Sequence, residues 1–386
     1  MDDRYKIELQ HLQEEGLYRQ MRLLASGADR RVQIDGRPMG VFCSNNYLGL
    51  ANHPDIIAAV KKGLDEWGFG SGGSRLVCGN MTPHQRLEGR LAAWLGKEAC
   101  LIFPSGYAAN HAILTALPGK DDLVVIDKLV HASIIDGALA GPATVRTWPH
   151  RQTEKLRKLL DRGGYEQAFI VTDSLFSMDG DFAPLAELAE IKKKYNAMLV
   201  VDEAHAFGCI GPEGAGYGAE TGLSEAVDIM VATFSKALGG AGGFVAASRT
   251  IVDYLVNKAR GFIFTTGIPA VNCLAAEAAL DIIQREPQRR QRLIDHGRYL
   301  REKCRERLWD TGGSESYIVP IILGTAERTV DVSRRLFERG FFVPAIRPPT
   351  VPPAGSRLRI SLMSEHTQED IDDLCENLQN IIMPGI

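Results

Sequence analysis

Residues 230–243 read MVATFSKALGGAGG. A short apolar run ends at Thr233, Phe234 and Ser235, Lys236 follows, and glycines come after it. Most lysines are solvated surface groups. This one sits at the carboxyl end of an apolar strand, among small residues expected to let another molecule approach closely. Burial lowers the pKa of an ammonium and leaves a nucleophilic amine, as a Schiff base requires. Outward from this segment lie further runs of the same kind: 123–127 (LVVID), 168–172 (AFIVT), 198–202 (MLVVD), 229–233 (IMVAT) and 243–247 (GFVAA). They are short, rich in Val and Ile, and do not alternate with polar residues, the pattern of strands buried on both faces of a parallel sheet. Helical stretches at 154–160 and 185–195 separate some of them. The second carries Leu185, Leu188 and Ile191 at helical spacing, with Pro184 near its start. This order predicts an α/β fold: a mostly parallel central sheet with helices on both faces and ligands at the carboxyl ends of its strands.

The pattern changes near Gln284. Residues 285–307 are rich in Arg, Gln and Glu with Pro287 inside, and predict a helix passing from one domain to the next. A smaller α/β unit follows: strand 317–323, helix 330–339, strand 341–346, a Pro-rich stretch 347–353, strand 358–362 and an amphipathic helix from about Gln368. The first 45 residues predict a helical arm and a β-hairpin turning at Asp35-Gly36. The expected domains are therefore 1–45, 46–285 and 286–386.

With 386 residues the chain has room for about two to three domains. Lys and Arg number 44 against 48 Asp and Glu, a net charge of −4, which argues against nucleic acid or an anionic membrane as the main partner. The seven cysteines are scattered and never spaced C-x-x-C. Neither a disulfide framework nor a zinc site is expected, and a reducing compartment fits. No histidines stand at H-x-x-x-H spacing, so no metal is expected. The start, MDDRYKIELQ, has no apolar h-region, and no apolar run reaches the ~18 residues of a membrane span. A cytoplasmic enzyme is expected.

Two familiar patterns mislead. Residues 68–73 match G-x-G-x-x-G, but a dinucleotide site needs a strand before the glycines, and 61–67 reads as the end of a helix. Residues 202–205 spell DEAH, but the chain lacks the phosphate-cradling G-x-x-x-x-G-K-[ST] that helicase chemistry needs. Other strand ends say more. Asp202 closes MLVVD; its bland reading is a helix cap, its functional one a partner for a protonated ring nitrogen. His205, three residues on, reaches the same place. Ser105-Gly106-Tyr107 lies where a strand gives way to a helix, whose first N–H groups suit a phosphate. His131 lies just past another strand end and, alone, reads as a structural histidine.

Together these strand ends offer a lysine, a ring-nitrogen partner, a phosphate cradle and a stacking ring. In that chain order they resemble the pyridoxal phosphate (PLP) enzymes of the aspartate-aminotransferase fold, fold type I, and most closely the α-oxoamine synthases. The resemblance spans residues 17–378 through the stretches 44–49 (SNNYLG), 70–74 (GSGGS), 105–110 (SGYAAN), 131–133 (HAS), 176–180 (FSMDG), 201–205 (VDEAH), 233–236 (TFSK) and 350–359. It implies PLP as cofactor and Lys236 as the residue that binds it covalently and then moves a proton at the substrate Cα. Asp202 would pair with the pyridine nitrogen, His205 with the ring hydroxyl, and His131 would stack on the ring. Ser177 would support ring or substrate. Ser105, Gly106, Tyr107, Thr233 and Ser235 would lie near the phosphate or ring. Thr265 and Thr266 would reach the phosphate from a neighbouring subunit, which implies a homodimer with its active site at the interface. Arg359 would hold the amino-acid carboxylate, Arg19 and Thr350 would line the acyl channel, and Asn45 and Ser74 would complete the substrate set.

The implied reaction is a decarboxylative condensation of L-alanine with an acyl thioester. Residues 345–352 (AIRPPTVP) most resemble the biotin-pathway branch, whose acyl donor would be pimeloyl-CoA or a pimeloyl-carrier protein. Phe207 and the pair Phe234-Ser235 depart from the residues usual in that branch and are expected to face the cofactor region. The glycine- and serine-using branches of the family stay open. So do another PLP enzyme of the same fold, such as an aldolase or aminotransferase, and a non-catalytic PLP-binding protein.

Overall fold

The computed structural model describes residues 2–382. Residues 1 and 383–386, at the outer ends of the expected terminal regions, lie outside the described residues. The chain divides into two compact units. The larger comprises Leu50–Ser177 and Phe182–Arg290. The smaller comprises residues 2–49, 178–181 and 291–382 of the described chain.

The larger unit is built on a seven-stranded sheet. In spatial order its strands are Ala99–Phe103, Gly243–Ala247, Ile229–Thr233, Met198–Asp202, Ala168–Asp173, Leu123–Asp127 and Thr144–Trp148. All neighbours run parallel except Gly243–Ala247, which is antiparallel to both of its partners. Helices pack around it. The central strands are buried on both faces, which is why they read as apolar runs rather than alternating ones. Register then fixes the chemistry. Asp173 stands opposite Asp202, and Gly243 lies between Thr233 and Phe103. The polar residues that end the apolar runs are thereby gathered along one edge of the sheet. The G-x-G-x-x-G stretch begins at Gly68, the cap that ends the helix Pro54–Trp67.

The smaller unit opens with the helix Asp3–Glu14, none of whose residues is buried. The hairpin Arg31–Ile34/Arg37–Val41 turns through Asp35 and Gly36, both at positive φ. A second sheet sets Ser356–Ser361 between Ile318–Gly324 and Ala345–Ile346, all antiparallel. The helices Ala326–Glu338 and Gln368–Ile382 complete the unit.

One expectation is corrected. The strand expected at 341–346 is two short strands in different sheets: Phe341–Phe342 extends the hairpin, and Ala345–Ile346 joins Ser356–Ser361. Pro344 stands between them, and proline cannot donate to a ladder. The helix expected over 285–307 forms as Pro287–Glu306, and Arg285 instead ends the preceding helix Ala270–Arg285. Glu286 separates the two, because the residue before a proline is driven out of helical conformation.

Candidate active site

At the carboxyl edge of the large sheet is a cavity of about 240 Å³. Of the residues singled out in the sequence, Lys236, Asp202, His205, His131, Ser105, Gly106, Tyr107, Thr233 and Ser235 line it, and so do Asn110, Ser133, Asp173 and Ala204. Ser105 caps the helix Gly106–Ala116, its Oγ accepting the N–H of Ala108 at 3.1 Å. The N–H groups of the first helical turn have no partner within the helix and favour an anion. Thr233 Oγ1 donates to Gly242 O at 2.8 Å and accepts Ser235 N–H at 3.2 Å, fixing the turn that leads into Lys236.

Two of the glycines after Lys236, Gly239 and Gly243, let the protein's own backbone approach closely. A Cβ on Gly243 would meet Gly106 N at 2.5 Å, and one on Gly239 would meet Ala51 N at 2.4 Å. Only a residue without a side chain lets the strand Gly243–Ala247 lie against the start of the helix Gly106–Ala116. Phe207 and Phe234 likewise do not line the cavity. Their rings pack against Phe244 at 5.1 and 5.6 Å, and Phe207 also meets Trp94 at 6.0 Å, in an aromatic cluster of the core.

The charges at the cavity are held by specific donors. Asp202 Oδ1 accepts Ala204 N–H at 2.8 Å, and its Oδ2 accepts from Asn110 Nδ2 at 2.6 Å. Burial holds the His131 imidazole below its ordinary pKa, with the nearby Lys236 acting the same way and Asp202 and Asp136 opposing. Asp173 is pushed well above the usual carboxylate range by burial, and further by the charge of Asp202. The sequence reading missed Asp173, Asn110 and Ser133. Asp173 had a signal, since AFIVTD ends in a carboxylate as MLVVD does. Asn110 and Ser133 lie within helices, where nothing marks a polar residue as inward-facing.

Other expected site residues lie elsewhere in the chain. Ser177 is a half-buried turn residue outside the cavity lining. Thr265 and Thr266 line a separate crevice with Arg75 and Phe262, and Thr266 pairs with Ser74 through an isolated β-bridge. In the smaller unit, Arg359 is buried. It donates to Ser361 Oγ at 2.6 Å, to Asn45 Oδ1 at 3.2 Å and to Tyr47 Oη at 3.4 Å. Arg19 and Thr350 are exposed. Arg347 lies near both: Thr350 N–H donates to its carbonyl at 3.1 Å, and burial, followed by the Arg19 charge, lowers the Arg347 guanidinium from its ordinary pKa. A larger cavity, about 630 Å³, adjoins the start of Ala99–Phe103. Charged groups around it are tied up: Glu88 pairs with Arg75, and Lys97 donates to Ser224 and Val227 carbonyls.

The set at the smaller cavity fits PLP part by part. An amine can hold its aldehyde carbon, a carboxylate its ring nitrogen, an imidazole its ring face, and a helix N-terminus its phosphate. Among the described residues no group of three or more His, Cys, Asp or Glu could hold a metal ion.

Comparison with known proteins places the chain in a class. It belongs to the aminotransferase class I and II family, whose model matches residues 37–378. More particularly, it is similar to curated proteins named 8-amino-7-oxononanoate synthase. That of Citrifermentans bemidjiense is 45% identical, covering 97% of each chain. That of Geotalea daltonii is 46% identical, covering 95% of this chain and 94% of the other. Among solved structures, the serine palmitoyltransferase of S. paucimobilis with bound PLP superposes with a TM-score of 0.93 at 32% identity, covering 98% of this chain and 97% of that one.

Proposed function

We propose that the chain is a PLP-dependent acyltransferase that condenses L-alanine with a pimeloyl thioester, pimeloyl-CoA or pimeloyl-carrier protein. The products are 8-amino-7-oxononanoate, the free thiol carrier and CO₂, in biotin biosynthesis. The observation that carries this reading is the convergence of Lys236, Asp202, His131 and a helix N-terminus on one cavity. Identity supports the choice within the family: curated 8-amino-7-oxononanoate synthases are closer in sequence than the superposed serine palmitoyltransferase.

When bound, PLP supplies an electron sink for carbanion chemistry at the amino acid. The chain's residues do the rest. Lys236 holds the cofactor covalently and moves the proton at the alanine Cα. Asp202 keeps a proton on the ring nitrogen, His205 bonds the ring hydroxyl, and His131 covers the ring face. Ser105, Gly106 and Tyr107 cradle the phosphate; Thr233 and Ser235 position Lys236. Ser177 supports ring or substrate. Arg359 binds the alanine carboxylate, with Asn45 and Ser74 beside the substrate, and Arg19 and Thr350 line the acyl channel. General acid–base help of the kind assigned to Lys236 typically contributes about 10²–10⁴-fold.

Thr265 and Thr266 complete a phosphate site of the partner subunit in a homodimer. Support comes from the apolar groups exposed around them in the isolated chain, Leu76, Val77 and Phe264, since exposed apolar surface marks association. A cytoplasmic location fits a chain in which, among the described residues, no helix is long and apolar enough to cross a membrane.

Mass spectrometry of products formed from alanine, glycine and serine, each against a panel of acyl-CoAs, tests the reading. Alanine with pimeloyl thioester should be preferred. Glycine should turn over at about a tenth to a hundredth of that efficiency, since one methyl group in a pocket is worth only ~1–3 kcal/mol. Borohydride should fix a pyridoxyl group on Lys236. Preference for glycine or serine, or for a long-chain acyl group, would overturn the choice of branch; a pyridoxyl group on another lysine would overturn the site.

A further inference from the structure

The contacts around Asn110 admit one arrangement of protons. Asn110 is buried on the helix Gly106–Ala116, with Nδ2 2.6 Å from Asp202 Oδ2 and 2.9 Å from Ser133 Oγ. A carboxylate only accepts, so the amide must present its NH₂ to Asp202, and its second N–H goes to the Ser133 hydroxyl. That hydroxyl keeps its own proton to give. His131 Nδ1 lies 2.8 Å from it and also accepts the backbone N–H of Ser133 at 3.2 Å. A nitrogen facing a backbone N–H carries no proton itself, so Nδ1 takes the hydroxyl's proton and the ring's own proton sits on Nε2. Every bond in the chain from Asp202 to His131 thus has a fixed direction.

We propose that Asn110 and Ser133 are positioning residues of the cofactor site, a one-way relay in which Asn110 donates to both Asp202 and Ser133, and Ser133 donates to His131. The relay ties together the two groups that would grip the ring, one at its nitrogen and one on its face. Asn110 orients the Asp202 carboxylate through Oδ2 while Ala204 N–H holds Oδ1. Ser133 is the acceptor that keeps the amide from turning. Both are buried, and a buried donor left without its acceptor is costly, so loss of either end reorients the other. The consequence for cofactor grip rests on the PLP reading above; the consequence for His131 does not.

The test uses the full chain in two states. With nitrogen-15-labelled histidine and no added cofactor, the spectrum should show His131 with its proton on Nε2 and Nδ1 accepting a strong hydrogen bond. Asn110→Ala, which removes no group bonded to His131, should move the Nδ1 resonance, as should Ser133→Ala; Ser133→Thr, which keeps the hydroxyl, should restore it. With PLP added, Asn110→Ala should weaken binding about tenfold or more, the scale of one hydrogen bond to a charged group. Ser133→Ala should weaken it several-fold, and Ser133→Thr should recover it. A wild-type His131 protonated on Nδ1, or an Nδ1 resonance indifferent to Asn110→Ala, overturns the relay. Wild-type PLP affinity in Ser133→Ala also overturns it, and that measurement can be made even if Asn110→Ala fails to fold. A wild-type chain that takes up no PLP, with the histidine shifts as expected, sinks the PLP reading and leaves the relay standing.

Discussion

His131 and His366 protect the same nitrogen, one beside a cavity in the larger unit and the other in the core of the smaller. His131 Nδ1 accepts from Ser133, and His366 Nδ1 accepts the Met363 N–H at 3.0 Å. Burial lowers the basicity of both, His366 to about 4. The difference lies in what remains. His366 Nε2 donates to Val41 O at 3.0 Å, and its ring stacks on Phe42 with centroids 4.4 Å apart. Both nitrogens are committed to backbone, and the ring is a structural plug. His131 instead borders a cavity shared with Lys236 and Asp202. A depressed pKa therefore does not identify a functional histidine; its company at a strand end does.

If the cavity set acts as a unit, its charges should matter to turnover far more than to folding. Asp202→Asn should retain the cofactor and lose activity by about 100-fold or more, the usual scale for removing a preorganised electrostatic partner. Near-normal turnover, measured with alanine and pimeloyl-CoA, would put Asp202 in the structural class with His366. A second contrast lies along the strand Ser356–Ser361, where Arg357 and Arg359 are both buried on one face. Arg357 pairs with Asp179 at 2.7 Å and also donates to Gly355 O. Arg359 is held by Ser361, Asn45 and Tyr47. Arg359→Lys should raise the apparent KM for alanine about tenfold, with little effect on that for the thioester, because an ammonium cannot copy a bidentate fork. Arg357→Lys should leave both KM values alone and lower unfolding stability by about 1–2 kcal/mol. Steady-state kinetics and denaturant unfolding on the two variants separate the roles, and equal KM effects would erase the distinction.

These contrasts also mark what the sequence makes legible. Asp202 ends an apolar run and Lys236 follows one within three residues, and a polar residue at the end of a doubly buried strand has one edge of the sheet to face. Physical periodicity therefore locates them before any of their partners is known. Asn110 sits inside a helix, and its inward face depends on how that helix packs beside the strand ending in Asp202. Arg357 and Arg359 share a face by the two-residue period of a strand. Which of them meets a carboxylate depends on Asp179, remote in the chain. Phe234 stands between Thr233 and Ser235 yet turns into the core, since neighbours along an extended or turning backbone point opposite ways, and Phe207, two residues past His205, joins the same aromatic cluster. The glycines near Lys236 were legible as a demand for space, but not the part of it that Gly239 and Gly243 give to the chain's own backbone.

The last effect expected concerns His366 itself. Its folded pKa of about 4 lies below the ordinary 6.5, so the unfolded chain takes up the proton first. Above pH ~6.5 the neutral ring contributes fully to stability; as pH falls from there toward 4, protonation of the unfolded state withdraws that contribution. The loss is at most about 3 kcal/mol over that window, the free-energy equivalent of the shift. His366→Gln should be less stable than wild type at pH 7, because it gives up the stacked ring. The gap should narrow as the pH is lowered to 4.5, since the amide has no proton to gain. His84 and His296, whose pKa values burial also lowers, titrate in both proteins and cancel in the difference. Denaturant unfolding at several pH values reads that difference directly. Parallel stability curves would mean that His366 accepts a proton in the folded core as readily as in the open chain, and that the stacked ring bonded to Val41 and Met363 does not hold it neutral.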